Sequence, residues 1–291
     1  MLFVEFSPVR NTIMRRIMAL ALLAATSATA RPIAPHSGYV AMGSSFAAGP
    51  WIGQSADSPP DRCGRSAANY AHVLAHRLNL DLTDVSCSGA KAAHIVNPWD
   101  ELPPQIAAVT PQTRLVTVTA GGNDLNYLGL VNAMECANRV DRDDGKRSAC
   151  PAAVIPTPQD EARLSATLHT AIAQIHAAAP RARIILVQYF TLFGAGETCA
   201  KTRLSQAQIA TLRTLAARLA AITARAAHDT GAELLALDTA SRTHGVCSAS
   251  PWVNGNNADR ARADGTFYHP NTAGMAATAQ LLAQRVRQRG L

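Results

Sequence analysis

The sequence has few aromatic and few charged residues, at 5% and 16% of its 291 residues, while 48% of its residues are hydrophobic. This balance excludes a disordered or fibrous chain, and the length suits one domain with a sizeable core. The formal net charge is +7, but the basic residues form no long cationic run. We therefore expect a solvated basic surface and no nucleic-acid partner.

The sequence also has no apolar run of the ~20 residues that a membrane-spanning helix needs. A shorter apolar run, 17–25, follows Arg15 and Arg16 and precedes the small-residue triplet Ala28-Thr29-Ala30. This order of features predicts a signal peptide over residues 1–30, cleaved after about Ala30. We expect the remaining residues, 31–291, to form a single domain that is secreted or periplasmic.

No Cys-x-x-Cys pair occurs, which makes metal binding the weaker interpretation of the cysteines. Their number is even, as expected for disulfides in an oxidising compartment. Six cysteines allow 15 different pairings, and the sequence alone does not choose among them. They are Cys63, Cys87, Cys136, Cys150, Cys199 and Cys247.

Strand-like and helix-like segments alternate along the chain from residue 39 onwards. The predicted strands are 39–42, 81–86, 115–119, 184–187 and 234–237. The predicted helices are 66–78 with Ser66 as its cap, 125–134, 160 to before Pro180, 205–229 ending at Gly231, and 272–288. Such alternation predicts an α/β fold, a three-layer sandwich with a parallel sheet of roughly five strands. Functional sites in such folds lie beyond the carboxyl ends of the strands.

Small residues and amides stand where three of the predicted strands end. A stretch from Gly43 to Gly49 contains Ser45, and Gly89 and Asn123 follow two further strands. A serine in a sharp turn can act as a nucleophile if a base and donors to an oxyanion lie near it. Backbone N–H groups beside glycine and an asparagine amide suit the donor role. The alternative interpretation of the serine stretch is a small-residue turn that closes a strand.

His269 is the histidine whose position best fits a base. Five of the nine histidines fall within predicted helices, where solvated or core-edge roles are usual. His269 instead lies in the loop 264–271, directly before Pro270 and the last predicted helix. Loops between elements commonly carry catalytic groups.

Four blocks of the chain together resemble the SGNH or GDSL family of serine hydrolases, and especially its secreted bacterial lipases and esterases. The resemblance implies the flavodoxin-like SGNH hydrolase fold, with Ser45 as nucleophile, His269 as base, and an oxyanion hole of Ser45, Gly89 and Asn123. The blocks are Gly43-Ser44-Ser45 with Gly49, Ser88-Gly89-Ala90, Gly121-Gly122-Asn123-Asp124 and His269-Pro270-Asn271.

The resemblance also bears on the cysteines, since those relatives carry three disulfides between consecutive cysteines. It therefore implies the pairs Cys63–Cys87, Cys136–Cys150 and Cys199–Cys247.

Two residues depart from the family pattern. Ser44 stands where the family usually has aspartate, and we expect changed hydrogen bonding in the turn rather than lost activity. Thr266 stands three residues before the histidine, where the family usually has its acid. Some members orient the imidazole with a main-chain carbonyl, and the resemblance makes the Phe267 carbonyl the candidate, since Asp264 is displaced in register. We therefore expect a Ser-His dyad.

These features together predict a secreted carboxylic ester hydrolase, a lipase or esterase that acts through an acyl-enzyme. We expect no metal or cofactor, a small-molecule or lipid ester as substrate, transient contact with a lipid surface, and a monomer. One alternative is a carbohydrate O-acetylesterase. The other is a non-catalytic surface-binding protein on the same scaffold, which decay of the site at Ser44 and Thr266 would favour.

Overall fold

The centre of the protein is a five-stranded parallel sheet. The computed structural model describes residues 1–4, 33–59, 61–139, 150–195 and 198–288, so most of the predicted signal peptide lies outside the described residues. The sheet order is β2-β1-β3-β4-β5, with every neighbouring pair parallel. The strands are β1 (Gly38–Gly43), β2 (Asp81–Asp84), β3 (Thr113–Thr119), β4 (Arg183–Val187) and β5 (Glu233–Leu235). The predicted α/β fold and the strand number are confirmed.

Helices cover both faces of the sheet. Helix α2 packs against α8, and α5 packs against α6. The helices are α1 (Ser45–Ala48), α2 (Tyr70–Leu78), α3 (Ala93–Val96), α4 (Tyr127–Ala137), α5 (Pro158–Ala178), α6 (Gln206–Thr230), α7 (Leu237–Ala240) and α8 (Thr272–Gln288), with short 3-10 helices at Gln105–Ala108 and Arg260–Arg262. Every residue of β4 is buried, as expected for a strand covered on both sides.

The long helices begin and end at residues whose side chains or backbone favour those positions. Thr157 and Asp160 form a capping box at the start of α5, and Ser205 and Gln208 form one at the start of α6. Helix α6 ends at Gly231, which has a left-handed φ of 71°. No helix within the described ranges combines the length and apolar content required to cross a bilayer.

Several predicted boundaries differ from the structure: β2 is Asp81–Asp84 and not 81–86, and α4 is Tyr127–Ala137 and not 125–134. The cap predicted at Ser66 is wrong because of a contact distant in sequence. Ser66 does not cap α2, since its hydroxyl donates to the carbonyl of Ile52 and accepts from the Ala68 N–H. Asn69 caps this helix instead, because its side-chain oxygen accepts from the N–H groups of Ala71 and His72. The last strand ends at Leu235, and Leu237 already begins α7.

Three disulfides join loops at the edge of this core. The structure contains Cys63–Cys87, Cys136–Cys150 and Cys199–Cys247, which are the pairs implied by the resemblance. Cys87 lies just beyond β2, and Cys136 lies in the last turn of α4. The links therefore fix segments that leave the carboxyl ends of the strands, where the candidate site lies.

Candidate active site

Ser45 is placed by a sharp turn at the end of β1. Gly43 has a φ of 137°, and a Cβ atom at this position would lie 2.2 Å from the Thr119 carbonyl oxygen. Only glycine fits so close to the neighbouring strand. The Ser44 N–H then donates to the Thr119 carbonyl at 2.9 Å, and Ser45 begins α1. The turn therefore presents Ser45 at the carboxyl edge of the sheet.

The structure brings Ser45 and His269 into hydrogen-bond contact. His269 Nε2 lies 2.9 Å from Ser45 Oγ, although 224 positions separate the two residues. The other ring nitrogen, Nδ1, lies 2.8 Å from the Phe267 carbonyl oxygen. A carbonyl only accepts, so Nδ1 carries the proton and Nε2 is left to accept from the serine hydroxyl.

The imidazole of His269 lies in an uncharged environment. Burial lowers the pKa of His269 from its ordinary value of 6.5, and the hydrogen bond to Phe267 opposes this with a smaller effect. The Phe46 ring packs near the imidazole, with 5.1 Å between the two centroids. The ring is therefore neutral at neutral pH and able to accept a proton.

Neither Thr266, at the position of the family acid, nor the nearby Asp264 forms a hydrogen bond with the imidazole ring in the described residues. The Thr266 main-chain carbonyl accepts from the His269 N–H at 3.3 Å. Asp264 Oδ1 accepts from the Thr272 N–H at 2.8 Å, where α8 begins. Asp264 thus satisfies a helix N–H that has no intrahelical partner.

Gly89 and Asn123 line one cavity of about 510 Å³. The Asn123 side-chain amide donates to the Ala90 carbonyl at 2.9 Å, and Asp124 accepts from the Ala92 N–H at 2.9 Å. These bonds join the loop after β3 to the loop after β2. The two candidate oxyanion donors are thereby held at a common opening.

Ser44 forms a buried hydrogen bond that the sequence analysis did not identify. Its hydroxyl lies 2.7 Å from the hydroxyl of Tyr189, and burial raises the pKa of Tyr189 above its ordinary value. The ring of Tyr189 also packs on Gly122, where an added Cβ atom would lie 2.5 Å away. Through Tyr189, Ser44 therefore links the Ser45 turn to the glycine block before Asn123. The serine at this position is fully hydrogen-bonded within the fold.

Gln105 is a second residue that the sequence analysis missed. Its Oε1 accepts from the Gly43 N–H at 2.8 Å, and its Nε2 donates to the Gly43 carbonyl at 3.0 Å. The side chain is buried and pairs both polar groups of Gly43, which fixes the turn before Ser45. Gln105 is 62 positions from Gly43, and no local motif marks it.

A more apolar cavity of about 400 Å³ lies behind the Gly89 loop. Trp99 lines this cavity and lies against Gly89, since a Cβ atom on Gly89 would be 3.1 Å from the Trp99 ring. The Trp99 ring is covered by the Arg62 guanidinium at 4.1 Å and by the stacked His94 ring at 4.4 Å. Ser45, His269 and Asn123 are not among the residues that line this cavity. This cavity is therefore not assigned to the candidate site, although it is the more apolar of the two cavities.

A three-layer α/β sandwich with a serine hydroxyl bonded to an imidazole at the carboxyl edge is the arrangement of a serine hydrolase. The model of the GDSL-like lipase/acylhydrolase family matches residues 41–277 of this chain. The protein belongs to that family.

Similar proteins are lipases of streptomycetes. Lipase 2 of Streptomyces coelicolor is 33% identical over 246 residues, which cover 81% of this chain and 82% of that protein. A lipase of Streptomyces rimosus is 31% identical over 241 residues, which cover 81% and 83%. The chain is an ester hydrolase of the lipase and esterase type, and the non-catalytic alternative is set aside.

Two solved structures from streptomycetes share the fold. The extracellular lipase of Streptomyces rimosus superposes with a TM-score of 0.67 at 26% identity. Phospholipase A1 of Streptomyces albidoflavus superposes with a TM-score of 0.68 at 23% identity, a likeness of fold alone. Each comparison covers 86% of this chain and 98% of the other.

We expect Asp264→Ala to retain ester hydrolysis, with kcat within about threefold of wild type, because Asp264 bonds to α8 and not to the imidazole. Its free energy of unfolding should fall by about 1 kcal/mol, the usual contribution of one hydrogen bond. Steady-state kinetics and urea unfolding measure the two quantities.

Thr157→Ala is the matched control, since it removes a cap from α5. A hundredfold loss of kcat in Asp264→Ala, with Thr157→Ala unaffected, would show that Asp264 orients His269 after all.

Proposed function

We propose that Ser45 is the nucleophile and His269 the base in hydrolysis of a carboxylic ester. The observation that carries this proposal is the chain of two hydrogen bonds, Ser45 Oγ to His269 Nε2 at 2.9 Å and Nδ1 to the Phe267 carbonyl at 2.8 Å. Ser45 Oγ bonds to the ester carbonyl carbon while His269 Nε2 takes the hydroxyl proton. The same nitrogen returns that proton to the departing alcohol.

Water then hydrolyses the acyl-enzyme on Ser45, with His269 again acting first as base and then as acid. His269 Nε2 takes a proton from water as the water oxygen bonds to the acyl carbon. The carbon–oxygen bond to Ser45 breaks, the proton returns to Oγ, and the carboxylic acid leaves. No metal or cofactor takes part in these steps.

The Phe267 carbonyl performs the orienting part of a triad acid. A triad aspartate holds the imidazole tautomer and stabilises the imidazolium that forms. A carbonyl bonded to Nδ1 also holds the tautomer, but it carries a partial rather than a full negative charge. The Ser-His dyad therefore stabilises the imidazolium less than a triad does.

The oxyanion is held by the backbone N–H groups of Ser45 and Gly89 and by the side-chain amide of Asn123. Ser45 is the first residue of α1, so its N–H lacks an intrahelical acceptor. The amide nitrogen of Asn123 has two hydrogens, and one of them donates to Ala90. The other is available to the oxyanion, and loss of one such donor typically costs about 10²–10³ in rate.

We expect Ser45→Ala and His269→Ala each to lower kcat by about 10³ or more on chromogenic esters of graded acyl length. The double variant should lose little more, because the two groups act as a unit. Ser37→Ala is the matched control, since none of the contacts described above uses its side chain.

Residual activity of Ser45→Ala close to that of Ser37→Ala would contradict the mechanism. The chain-length series also tests the alternative within the class. Release of acetyl groups from glycans, with poor activity on longer acyl chains, would identify a carbohydrate O-acetylesterase.

We also infer that the opening of the site contacts a lipid surface transiently. Apart from residues 1–4, in the predicted signal peptide, the exposed large hydrophobic residues of the described ranges are Trp51, Val154, Ile155 and Phe267. Trp51 accepts through its carbonyl from Gly265 in the His269 loop, at 2.8 Å. Val154 lines the cavity shared by Gly89 and Asn123. The exposed apolar side chains thus belong to segments that contact or form the His269 loop and to the segment that lines the cavity of Gly89 and Asn123.

Basic groups accompany these apolar side chains, which favours an anionic surface. The Arg260 guanidinium lies 4.5 Å from the centroid of the Trp51 ring. Lys91 lines the same cavity as Val154, together with Asp124 and Asp160, so the basic contribution comes chiefly from Arg260. Apolar burial and attraction to anionic headgroups act together in interfacial binding.

We expect Trp51→Ser combined with Ile155→Ser to weaken binding to anionic phospholipid vesicles by about tenfold, because each substitution removes exposed apolar area from the proposed contact surface. Sedimentation with vesicles measures this binding. Hydrolysis of a soluble short-chain ester serves as the internal control and should change less than threefold. Unchanged vesicle binding would exclude these exposed apolar side chains as the contact surface.

We propose that the protein is exported as a monomer, with residues 31–291 forming one domain. The predicted signal peptide, the three disulfides and the extracellular relative from Streptomyces rimosus support export. N-terminal sequencing of the exported protein should give a start near Arg31, and light scattering should give the monomer mass. An unprocessed N-terminus or a dimer mass would contradict the corresponding part of the proposal.

A further inference from the structure

Glu135 is a buried carboxylate on α4 that connects several loops around the His269 segment. Its Oε1 accepts from the Tyr268 hydroxyl, from the Thr202 hydroxyl at 2.7 Å and from the Arg203 N–H at 2.8 Å. Its Oε2 accepts from the Asn256 side-chain amide at 3.3 Å. A buried carboxylate is tolerated because its oxygens are paired in this way. The donors come from three separate loops, one of which carries His269.

Tyr268, the residue next to His269, adopts an unfavourable backbone conformation. Its φ is 56°, in the left-handed region that aromatic residues rarely occupy, and it is 1% exposed. This conformation lies between the Phe267 carbonyl and the His269 ring that bonds to it. Backbone strain of this kind persists only where surrounding contacts enforce it. The hydroxyl bond to Glu135 and packing of Phe193 on the Tyr268 ring, at 5.8 Å, are such contacts.

Covalent links hold Glu135 and its partners in place. Cys136, the next residue on α4, is bonded to Cys150, and the Cys199 carbonyl accepts from the Thr202 N–H at 3.0 Å. Cys199 is itself bonded to Cys247. Glu135 is therefore a fixed partner for the buried hydroxyl of Tyr268.

We propose that Glu135 is a positioning residue for His269, acting through the Tyr268 hydroxyl to hold the turn that brings the Phe267 carbonyl to Nδ1. This inference rests on the proposed function, in which His269 is the base. The site thus has an acid that acts on the backbone of the histidine loop and does not touch the imidazole. Glu135 lies 133 positions before Tyr268 and outside the family blocks.

The test compares Tyr268→Phe, Glu135→Gln and Glu135→Leu with Tyr39→Phe as the matched control. Tyr39 is also fully buried, and its hydroxyl bonds to the Thr117 hydroxyl at 2.8 Å. Both tyrosine variants lose one buried hydroxyl, but only Tyr268→Phe releases the turn beside His269. Glu135→Gln keeps an oxygen able to accept from Tyr268, whereas Glu135→Leu has none.

We expect Tyr268→Phe and Glu135→Leu to lower kcat on a soluble ester at least tenfold, with KM changed less than threefold. Glu135→Gln should restore part of that loss, and Tyr39→Phe should keep the wild-type kcat. The loss is in kcat because general-base catalysis depends on the geometry of the proton transfer.

The pH profile of kcat/KM supplies a readout that a purely structural role would not change. His269 acts as the neutral base, so activity rises as pH increases through its pKa, which burial places below 6.5. The contacting groups found in the described residues are the Ser45 hydroxyl, the Phe267 carbonyl and the Phe46 ring, all uncharged. The Phe267 bond raises this pKa, so its loss in Tyr268→Phe should move the acid limb to lower pH.

A Tyr268→Phe enzyme with wild-type kcat and an unshifted acid limb would overturn the proposal, even if its melting temperature fell. Should Glu135→Leu fail to fold, Tyr268→Phe still decides the question. Full activity in Ser45→Ala would instead refute the proposed function, and the positioning role with it. An inactive Ser45→Ala beside a fully active Tyr268→Phe would refute the positioning role alone.

Discussion

The hydrogen bond from His269 Nδ1 to the Phe267 carbonyl is the constraint on which the site depends. It selects the tautomer whose Nε2 faces Ser45, and it does so with a neutral acceptor. An imidazole beside a carboxylate titrates as a coupled pair, whereas His269 titrates beside uncharged groups alone. Burial of the ring then becomes the main influence on its pKa and keeps it in the basic form at neutral pH. The cost is weaker stabilisation of the imidazolium than a carboxylate provides.

Ser45 and His269, the proposed dyad, each lie on a tight turn to which a remote side chain is hydrogen-bonded. Gln105 pairs the N–H and carbonyl of Gly43 before Ser45, and Glu135 binds the hydroxyl of Tyr268 before His269. The backbone at Gly43 and Tyr268 has positive φ in each case. The parallel sheet supplies the common edge, and these two side chains bond to the turns themselves. Polar contacts between residues distant in sequence are therefore added to the fold at both turns.

The sequence predicts what local patterns encode. The last helix has the predicted bounds, 272–288, because its periodicity and the preceding Pro270 are local signals. The parallel sheet follows from the alternation of elements, and the small-residue blocks identify the Ser45 and Asn123 loops. Local patterns fail at Ser66, whose hydroxyl bonds across to Ile52, and they do not reveal Gln105 or Glu135. Gln105 and Glu135 bond to partners 62 and 133 positions away, and no short-range spacing indicates such contacts.

The acceptor that orients the His269 ring is a main-chain carbonyl and not a side chain. Orienting the imidazole and shaping the surface beside it are therefore separate tasks at position 267. Every amino acid has a carbonyl oxygen, so the identity of the side chain at position 267 is free to change without loss of that acceptor. The Phe267 side chain is in fact 42% exposed beside the site. Substitution at position 267 can therefore alter the surface next to His269, while the main-chain carbonyl that orients the imidazole is retained.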